Sequence, residues 1–170
     1  MDRVFFGESE AARKALIDRF GSCLFVVLDL MSIEAKRDQI VEELMPFDDH
    51  YERFAYIIDR AKSHPPLDEA YKIDTFLIEG CLSQLWIFPE FKEGKCYFHT
   101  DSDAAITKGT AALLCELYSG ETPEDIIRLK PDFLAEVGIT QHLSPNRRNG
   151  LANVRAKIKA YAELCQSNES

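Results

Sequence analysis

The spacing of apolar residues switches from helical to alternating and back, which predicts helices on either side of a few strands. Ile33, Ile40, Val41 and Leu44 fall on one side of a helix over about 33–45 that Ser32 can cap. Further helices are predicted at about 48–63, 103–119, 131–138 and 144–164, with another start at Thr122–Asp125.

Three strand-like runs lie between the second and third helices: TFLI at 75–78, QLWIF at 84–88 and KCYFHT at 95–100. A glycine-containing segment joins the last two and predicts a hairpin turn. Strands that follow one another directly, rather than alternating with helices, favour an antiparallel sheet. We therefore predict an α+β fold, a three-stranded antiparallel sheet flanked by helices.

Chain length and charge narrow the class of protein. A chain of 170 residues with 46% apolar residues can build one domain with a real core. The net charge of -9 argues against a nucleic-acid or anionic membrane partner. We expect residues 1–30 to be an N-terminal extension, which could be poorly ordered, 31–165 to form a single domain, and 166–170 to be a polar tail. With no clear secretory signal or membrane span, a cytoplasmic protein is expected.

Cysteine is the residue type that offers the clearest chemistry. The five cysteines are widely spaced and include no C-x-x-C pair, so a zinc site is not expected. Cys96 falls inside a strand and Cys115 in a helix that is apolar nearly all round, which predicts burial for both. Cys81 falls in a short break between two strands. Local sequence alone leaves it open whether Cys81 is a buried small residue or a nucleophile on a loop.

Three blocks in one order resemble the SufE-type cysteine desulfuration proteins. GCLSQLW is similar to the family form G-C-x-S-Q-V-W. DSDAAITKG followed by TPEDI, and QHLSPNRRNGL, are similar to two further family blocks. Leu82 stands where the family often has a polar residue and Leu85 where it has valine, and neither change touches the thiol. Together the blocks cover residues 33 to about 164.

The resemblance implies a sulfur-transfer function and a fold similar to that of iron–sulfur scaffold proteins. Cys81 would accept persulfide sulfur from a SufS-like cysteine desulfurase, stimulate that enzyme, and relay the sulfur to an iron–sulfur scaffold complex. The protein would be an accessory carrier without a cofactor or metal of its own, while the desulfurase would carry pyridoxal phosphate. Gly80, Ser83 and Gln84 would shape the loop, and Trp86 would anchor its base in the core.

Two cations in the resembling blocks, Lys108 and Arg147, are candidates for a position near the thiol, although a surface or partner-facing charge is the alternative for each. The DSD run at 101–103 is expected to cap a helix rather than to do chemistry.

Two other functions stay open. One is a hydrolase or transferase that uses Cys81 with His99 or His142 as the base. The other is a metal-cluster scaffold, which would need several converging thiolates or carboxylates.

Overall fold

The structure, a computed structural model, describes residues 31–129 and 133–169 of the chain. The prediction of an extension at 1–30 lies outside these residues. From Ile33 onward the chain folds as one unit. Within the described ranges, no helix combines the length and the apolar character needed to cross a membrane.

Helices lie before and after a β-hairpin in the sequence, which confirms the predicted α+β class. They are α1 (Ile33–Leu44), α2 (His50–Ala61), α3 (Ala105–Tyr118), α4 (Pro123–Arg128), α5 (Phe133–Glu136), α6 (Ile139–His142) and α7 (Pro145–Glu169). Local chemistry explains two of the starts. The Asp49 side chain accepts a hydrogen bond from Tyr51 N, and the Thr122 hydroxyl accepts one from Asp125 N. Helix α7 continues through 166–169, which the sequence analysis assigned to a polar tail.

The hairpin consists of β1 (Leu85–Lys92) and β2 (Lys95–Ser102), which pair in antiparallel register from Leu85↔Ser102 to Lys92↔Lys95. Its two-residue turn has positive φ angles at Glu93 (52°) and Gly94 (75°). Two left-handed residues match the right-handed twist of the flanking strands, and glycine accepts that geometry without strain.

The predicted third strand at 75–78 is wrong, because most of this segment bonds locally. Asp74–Phe76 forms a 3-10 helix, and the Phe76 and Leu77 amides donate to Ile73 O at 3.0 and 3.1 Å. Those amides are therefore not available to a neighbouring strand. The described backbone pairs with β1 here only at one isolated bridge, between Leu77 and Trp86, so the sheet keeps two strands.

One face of the hairpin packs on α3 and forms the centre of the core. Alternation along the strands turns the same face inward at Leu85, Ile87, Cys96 and Phe98, all of which are buried. Helix α3 is buried along nearly its whole length, as its all-round apolar sequence predicts. Complete burial of a leucine or isoleucine contributes roughly 1.5–3 kcal/mol, so this layer holds the hairpin firmly.

Candidate functional site

Cys81 lies on the short loop 79–84, whose two ends are fixed to the hairpin. At the start, Ile78 N donates to Leu85 O at 2.8 Å. At the end, Gln84 O accepts hydrogen bonds from Ser102 Oγ at 2.7 Å and from Asp103 N at 3.2 Å. The loop therefore projects from the end of the hairpin at which β1 begins and β2 ends.

Glycine at position 80 meets two requirements of the loop backbone. Its φ is +77°, a conformation that residues with a side chain rarely adopt. It also lies against α7, since a Cβ there would be 3.1 Å from Asn153 Nδ2. The same Nδ2 donates to Glu79 O at 2.7 Å, so Asn153 holds the loop just before the cysteine.

The Cys81 side chain rests on α7 at a position that only glycine leaves open. A Cβ at Gly150 would be 3.0 Å from both Cβ and Sγ of Cys81. Cys81 is half-buried there, while the next residue, Leu82, is 86% exposed. The thiol therefore faces the helix at the base of the loop, and an apolar side chain projects beside it into solvent.

The sequence analysis missed Gly150 and Asn153. One signal was present, because a glycine inside a predicted helix is unfavourable and often marks a close approach.

The other predicted loop residues contribute unequally. Gln84 acts through its backbone carbonyl, whereas its side chain is exposed. Ser83 is half-buried, and its hydroxyl makes no hydrogen bond to the part of the chain that the structure describes.

Trp86 does not anchor the loop in the core, so that prediction is wrong. Leu85 and Ile87 point inward, and alternation along the strand turns Trp86 to the opposite face of the hairpin. Its ring is half-buried, and Lys72 Nζ lies 5.9 Å from the ring centroid, within the range of a cation–π contact. Trp86 supports the outer face of the hairpin.

Lys108 forms an ion pair with Asp101 at the end of β2. Its Nζ lies 2.9 Å from Asp101 Oδ1, and Lys72 Nζ lies 3.0 Å from Oδ2 of the same group. Burial opposes ionisation of Asp101, but the bonds from Lys108 and Lys72 outweigh it and lower the pKa of that carboxyl. The expectation that the DSD run at 101–103 caps a helix is wrong, because the N-cap of α3 is Ala104 and no side chain caps that helix. Asp101 binds the two lysines instead.

Arg147 is the other predicted cation, and its surroundings differ from those of Lys108. It lies in the first turn of α7, one turn before Gly150, and is half-buried. Among residues 31–129 and 133–169 no carboxylate pairs with it. The structure thus leaves Arg147, and not Lys108, as the predicted cation that could meet an anion at this end of α7.

The other described cysteines are inside the fold. Cys96, Cys115 and Cys165 are 0%, 4% and 6% exposed. Burial raises the pKa of the Cys115 thiol, which disfavours the thiolate that a nucleophile needs. The predicted burial of Cys96 and Cys115 is confirmed. In the described ranges, Cys81 is the one cysteine that is not buried.

Neither the hydrolase nor the cluster-scaffold alternative finds support in the geometry. His99 Nε2 lies 2.9 Å from Glu90 Oε2, and His142 stacks on His50 with ring centroids 4.1 Å apart. No hydrogen bond joins a histidine to Cys81 in the described part of the chain. No group of three or more histidine, cysteine or acidic side chains is placed there to hold a metal ion.

Comparison with known proteins identifies the family. Residues 38–162 match the family described as "SufE: Fe-S metabolism associated domain". This chain belongs to the SufE family. The match places it in iron–sulfur metabolism and covers all three sequence blocks that resemble the family.

Similar SufE-like proteins come from bacteria and a plant. An uncharacterised one from Synechocystis is 33% identical over 132 residues, covering 78% of this chain and 83% of the relative. One from Rhizobium meliloti is 30% identical over 131 residues, covering 74% and 94%. The chloroplastic/mitochondrial SufE-like protein 1 of Arabidopsis thaliana is 36% identical over 130 residues, covering 74% of this chain but 35% of the plant protein.

A solved structure shares the fold of this chain. The solution structure of a hypothetical protein from Thermus thermophilus aligns with a TM-score of 0.65 at 21% identity, covering 78% of this chain and 96% of that one. This likeness supports the fold alone.

Proposed function

We propose that Cys81 is a sulfur acceptor, which takes persulfide sulfur from a cysteine desulfurase and relays it to an iron–sulfur scaffold complex. The observation that carries this proposal is the placement of the thiol. Cys81 sits on a loop that projects from the hairpin, while the other described cysteines are buried. A thiol on a projecting loop can enter the site of another protein, and a thiol in the core cannot.

The transfer is an exchange between sulfur atoms. The Cys81 thiolate attacks the terminal sulfur of a persulfide on the desulfurase. A new S–S bond forms at Cys81 Sγ, the S–S bond of the donor breaks, and the donor cysteine leaves as a thiolate that takes up the proton Cys81 released. The transferred sulfur keeps its oxidation level, so the step needs no added oxidant or reductant.

The same chemistry explains relay and stimulation. A thiolate of the scaffold complex attacks the outer sulfur on Cys81 and restores the Cys81 thiol. Removing the persulfide from the desulfurase frees its cysteine for another turnover, so its rate should rise when the acceptor is present. The partner is expected to be SufS-like and to carry pyridoxal phosphate, and its docking surface to be basic, since this chain has a net charge of -9. Cytoplasmic location stays a prediction.

The test is the rate at which a SufS-like desulfurase releases alanine from cysteine, with and without this protein. The unmodified protein should raise the rate, and Cys81→Ser should not, because a hydroxyl is almost never ionised. Cys165→Ser is the matched control, since Cys165 is a buried cysteine of α7. Stimulation by Cys81→Ser equal to that of the unmodified protein would contradict the proposal.

A further inference from the structure

A cavity lies on the outer face of the hairpin, beneath the connector (residues 62–78) that joins α2 to the cysteine loop. Alternation along β1 turns Phe88 and Glu90 to the same face as Trp86, and His99 lies opposite Phe88 in the strand register. The cavity has a volume of about 210 Å³. Side chains of the connector and of the hairpin line it, among them Pro65, Pro66, Tyr71, Phe88, Glu90 and His99.

The connector holds an aromatic wall of the cavity in place. The Asp68 side chain accepts a hydrogen bond of 2.9 Å from a backbone amide and so caps the 3-10 turn Glu69–Tyr71. Tyr71 stacks on Phe88 with ring centroids 4.0 Å apart, and Phe76 meets Phe88 edge-on at 5.1 Å. Because these rings already pack on one another, a ligand that binds here loses little affinity to the ordering of side chains.

Carboxylates give the cavity a negative charge. Asp68 and Glu90 both line it, and none of its lining residues in the described part of the chain is lysine or arginine. Glu90 Oε1 lies 2.9 Å from Lys92 Nζ, and Oε2 lies 2.9 Å from His99 Nε2. Lys92 and His99 outweigh burial and lower the pKa of the Glu90 carboxyl, so this group is charged at neutral pH. The Lys92 side chain is 63% exposed, and an exposed ion pair contributes so little that another cation can replace it.

The size of the cavity and its aromatic lining indicate which cation fits. Cavities that bind whole small molecules measure about 300–1,000 Å³, so about 210 Å³ suits a single side chain better. The guanidinium group of arginine is flat, stacks on aromatic rings and presents several N–H donors to a carboxylate. The ammonium group of lysine is a compact and strongly hydrated charge, which gains less from such a lining. The net charge of -9 also favours a partner with a basic surface.

We propose that this cavity receives an arginine side chain from the surface of a partner protein, which makes the outer face of the hairpin a docking surface. The guanidinium group contacts the rings of Tyr71 and Phe88 and donates to Glu90 in place of Lys92. Tyr71 is 40% exposed and Ile73, two residues further along the connector, is 47% exposed. A docked partner covers these apolar side chains and keeps water from the ion pair. The contact goes beyond the sulfur exchange at Cys81 and does not involve the thiol.

Titration of short peptides into ¹⁵N-labelled protein, followed by NMR, tests the proposal. The probe is Gly-Gly-Arg-Gly-Gly, acetylated and amidated at its ends, so that the arginine is presented as on a protein. We expect saturable shifts of the Phe88, Glu90 and His99 amides. The matching lysine peptide should bind more weakly, and the citrulline peptide, which keeps the shape without the charge, should not bind. Free L-arginine should bind no more tightly than the peptide, because the cavity takes only the guanidinium end.

Two variants and a matched control locate the binding. Glu90→Gln should weaken binding of the arginine peptide about 1.5- to 5-fold, the range for a partly exposed ion pair. Phe88→Leu keeps the cavity apolar but removes a ring, and should weaken binding too. Glu93→Gln removes an exposed carboxylate at the turn of the same hairpin and should leave the affinity unchanged. The same spectra show whether each variant is folded.

Four results would overturn the proposal. They are the absence of saturable shifts at the cavity, binding of the lysine or citrulline peptide as tight as that of the arginine peptide, equal weakening by Glu90→Gln and Glu93→Gln, and tighter binding of free L-arginine, which would indicate a site for a free amino acid. Because no desulfurase is present, each of these results leaves the function of Cys81 to be decided by the Cys81→Ser experiment.

Discussion

Replacing Asp101 by asparagine is expected to destabilise the strand end that supports the cysteine loop. Asp101 immediately precedes Ser102, whose hydroxyl holds Gln84 O. Its carboxylate accepts hydrogen bonds from Lys108 at 2.9 Å and Lys72 at 3.0 Å, and only 9% of its side chain is exposed. Asparagine keeps the shape of the side chain but removes the negative charge.

The expected loss in the free energy of unfolding depends on which of the two lysines has another carboxylate partner. Lys72 keeps a second carboxylate, Glu69, at 2.6 Å. The ammonium group of Lys108, whose side chain is 23% exposed, has no other carboxylate partner in the described ranges. A hydrogen bond to a charged group contributes about 1.5–3 kcal/mol, so we expect Asp101→Asn to lower the free energy of unfolding by about 2–3 kcal/mol.

Urea unfolding at pH 7 measures this effect, with Glu69→Gln as the control. Glu69 binds the same Lys72 but its side chain is 84% exposed, so its loss should leave the urea midpoint unchanged. The pKa of Asp101 is lowered in the fold, so its contribution is present above its unfolded pKa of about 3.9 and is lost as pH falls through the folded value. The difference from the unmodified protein should therefore shrink below about pH 4. Equal losses for Asp101→Asn and Glu69→Gln would refute the role given to burial.

Three further predictions concern other parts of the fold. Burial alone would raise the pKa of Glu116, but the neighbouring Arg60 and His64 side chains outweigh it and lower the pKa to about 2. Glu116→Gln should therefore lower the free energy of unfolding at pH 7 and flatten its decline below about pH 4.5. An unchanged decline would contradict this linkage. Cys115→Ser should lower the free energy of unfolding by about 1–3 kcal/mol, because the hydroxyl enters apolar surroundings. Sulfur acceptance should stay intact in the folded fraction. Loss of acceptance at unchanged stability would point to a second sulfur carrier. Trp86→Ala should lower the free energy of unfolding by about 1–2 kcal/mol, because the ring is half-buried. Loss of a fully buried aromatic would cost ~3–5 kcal/mol. A measured loss above ~3 kcal/mol would therefore place the ring in the core.

The helices could be predicted from sequence because local patterns determine them. The predicted helix at about 33–45 is observed as Ile33–Leu44, and the start at Thr122 has the side-chain cap that its sequence indicates. The third strand could not be excluded in the same way. Whether residues 75–78 pair with β1 depends on their own 3-10 turn and on Lys157 of the distant helix α7, whose Nζ donates a hydrogen bond to Thr75 O.

The candidate site, too, could be predicted only where it depends on local sequence. The motif around Cys81 singles out the cysteine and the need for glycine at position 80, since both lie in one short stretch. The contacts of Gly150 and Asn153 with the loop do not follow from that stretch, because these residues reach the loop only through the fold. Trp86 was misplaced because an apolar run does not show which face of its strand is covered by the core.

The most direct test of the central claim is to locate the sulfur after transfer. The protein is incubated with a SufS-like cysteine desulfurase, pyridoxal phosphate and cysteine, and its intact mass and peptides are then measured without reductant. We predict a gain of one sulfur atom on the peptide that contains Cys81, and no gain in Cys81→Ser. Sulfur on Cys81→Ser at a normal rate, or on the peptides of Cys96, Cys115 or Cys165 in the folded protein, would contradict the assignment of Cys81 as the acceptor.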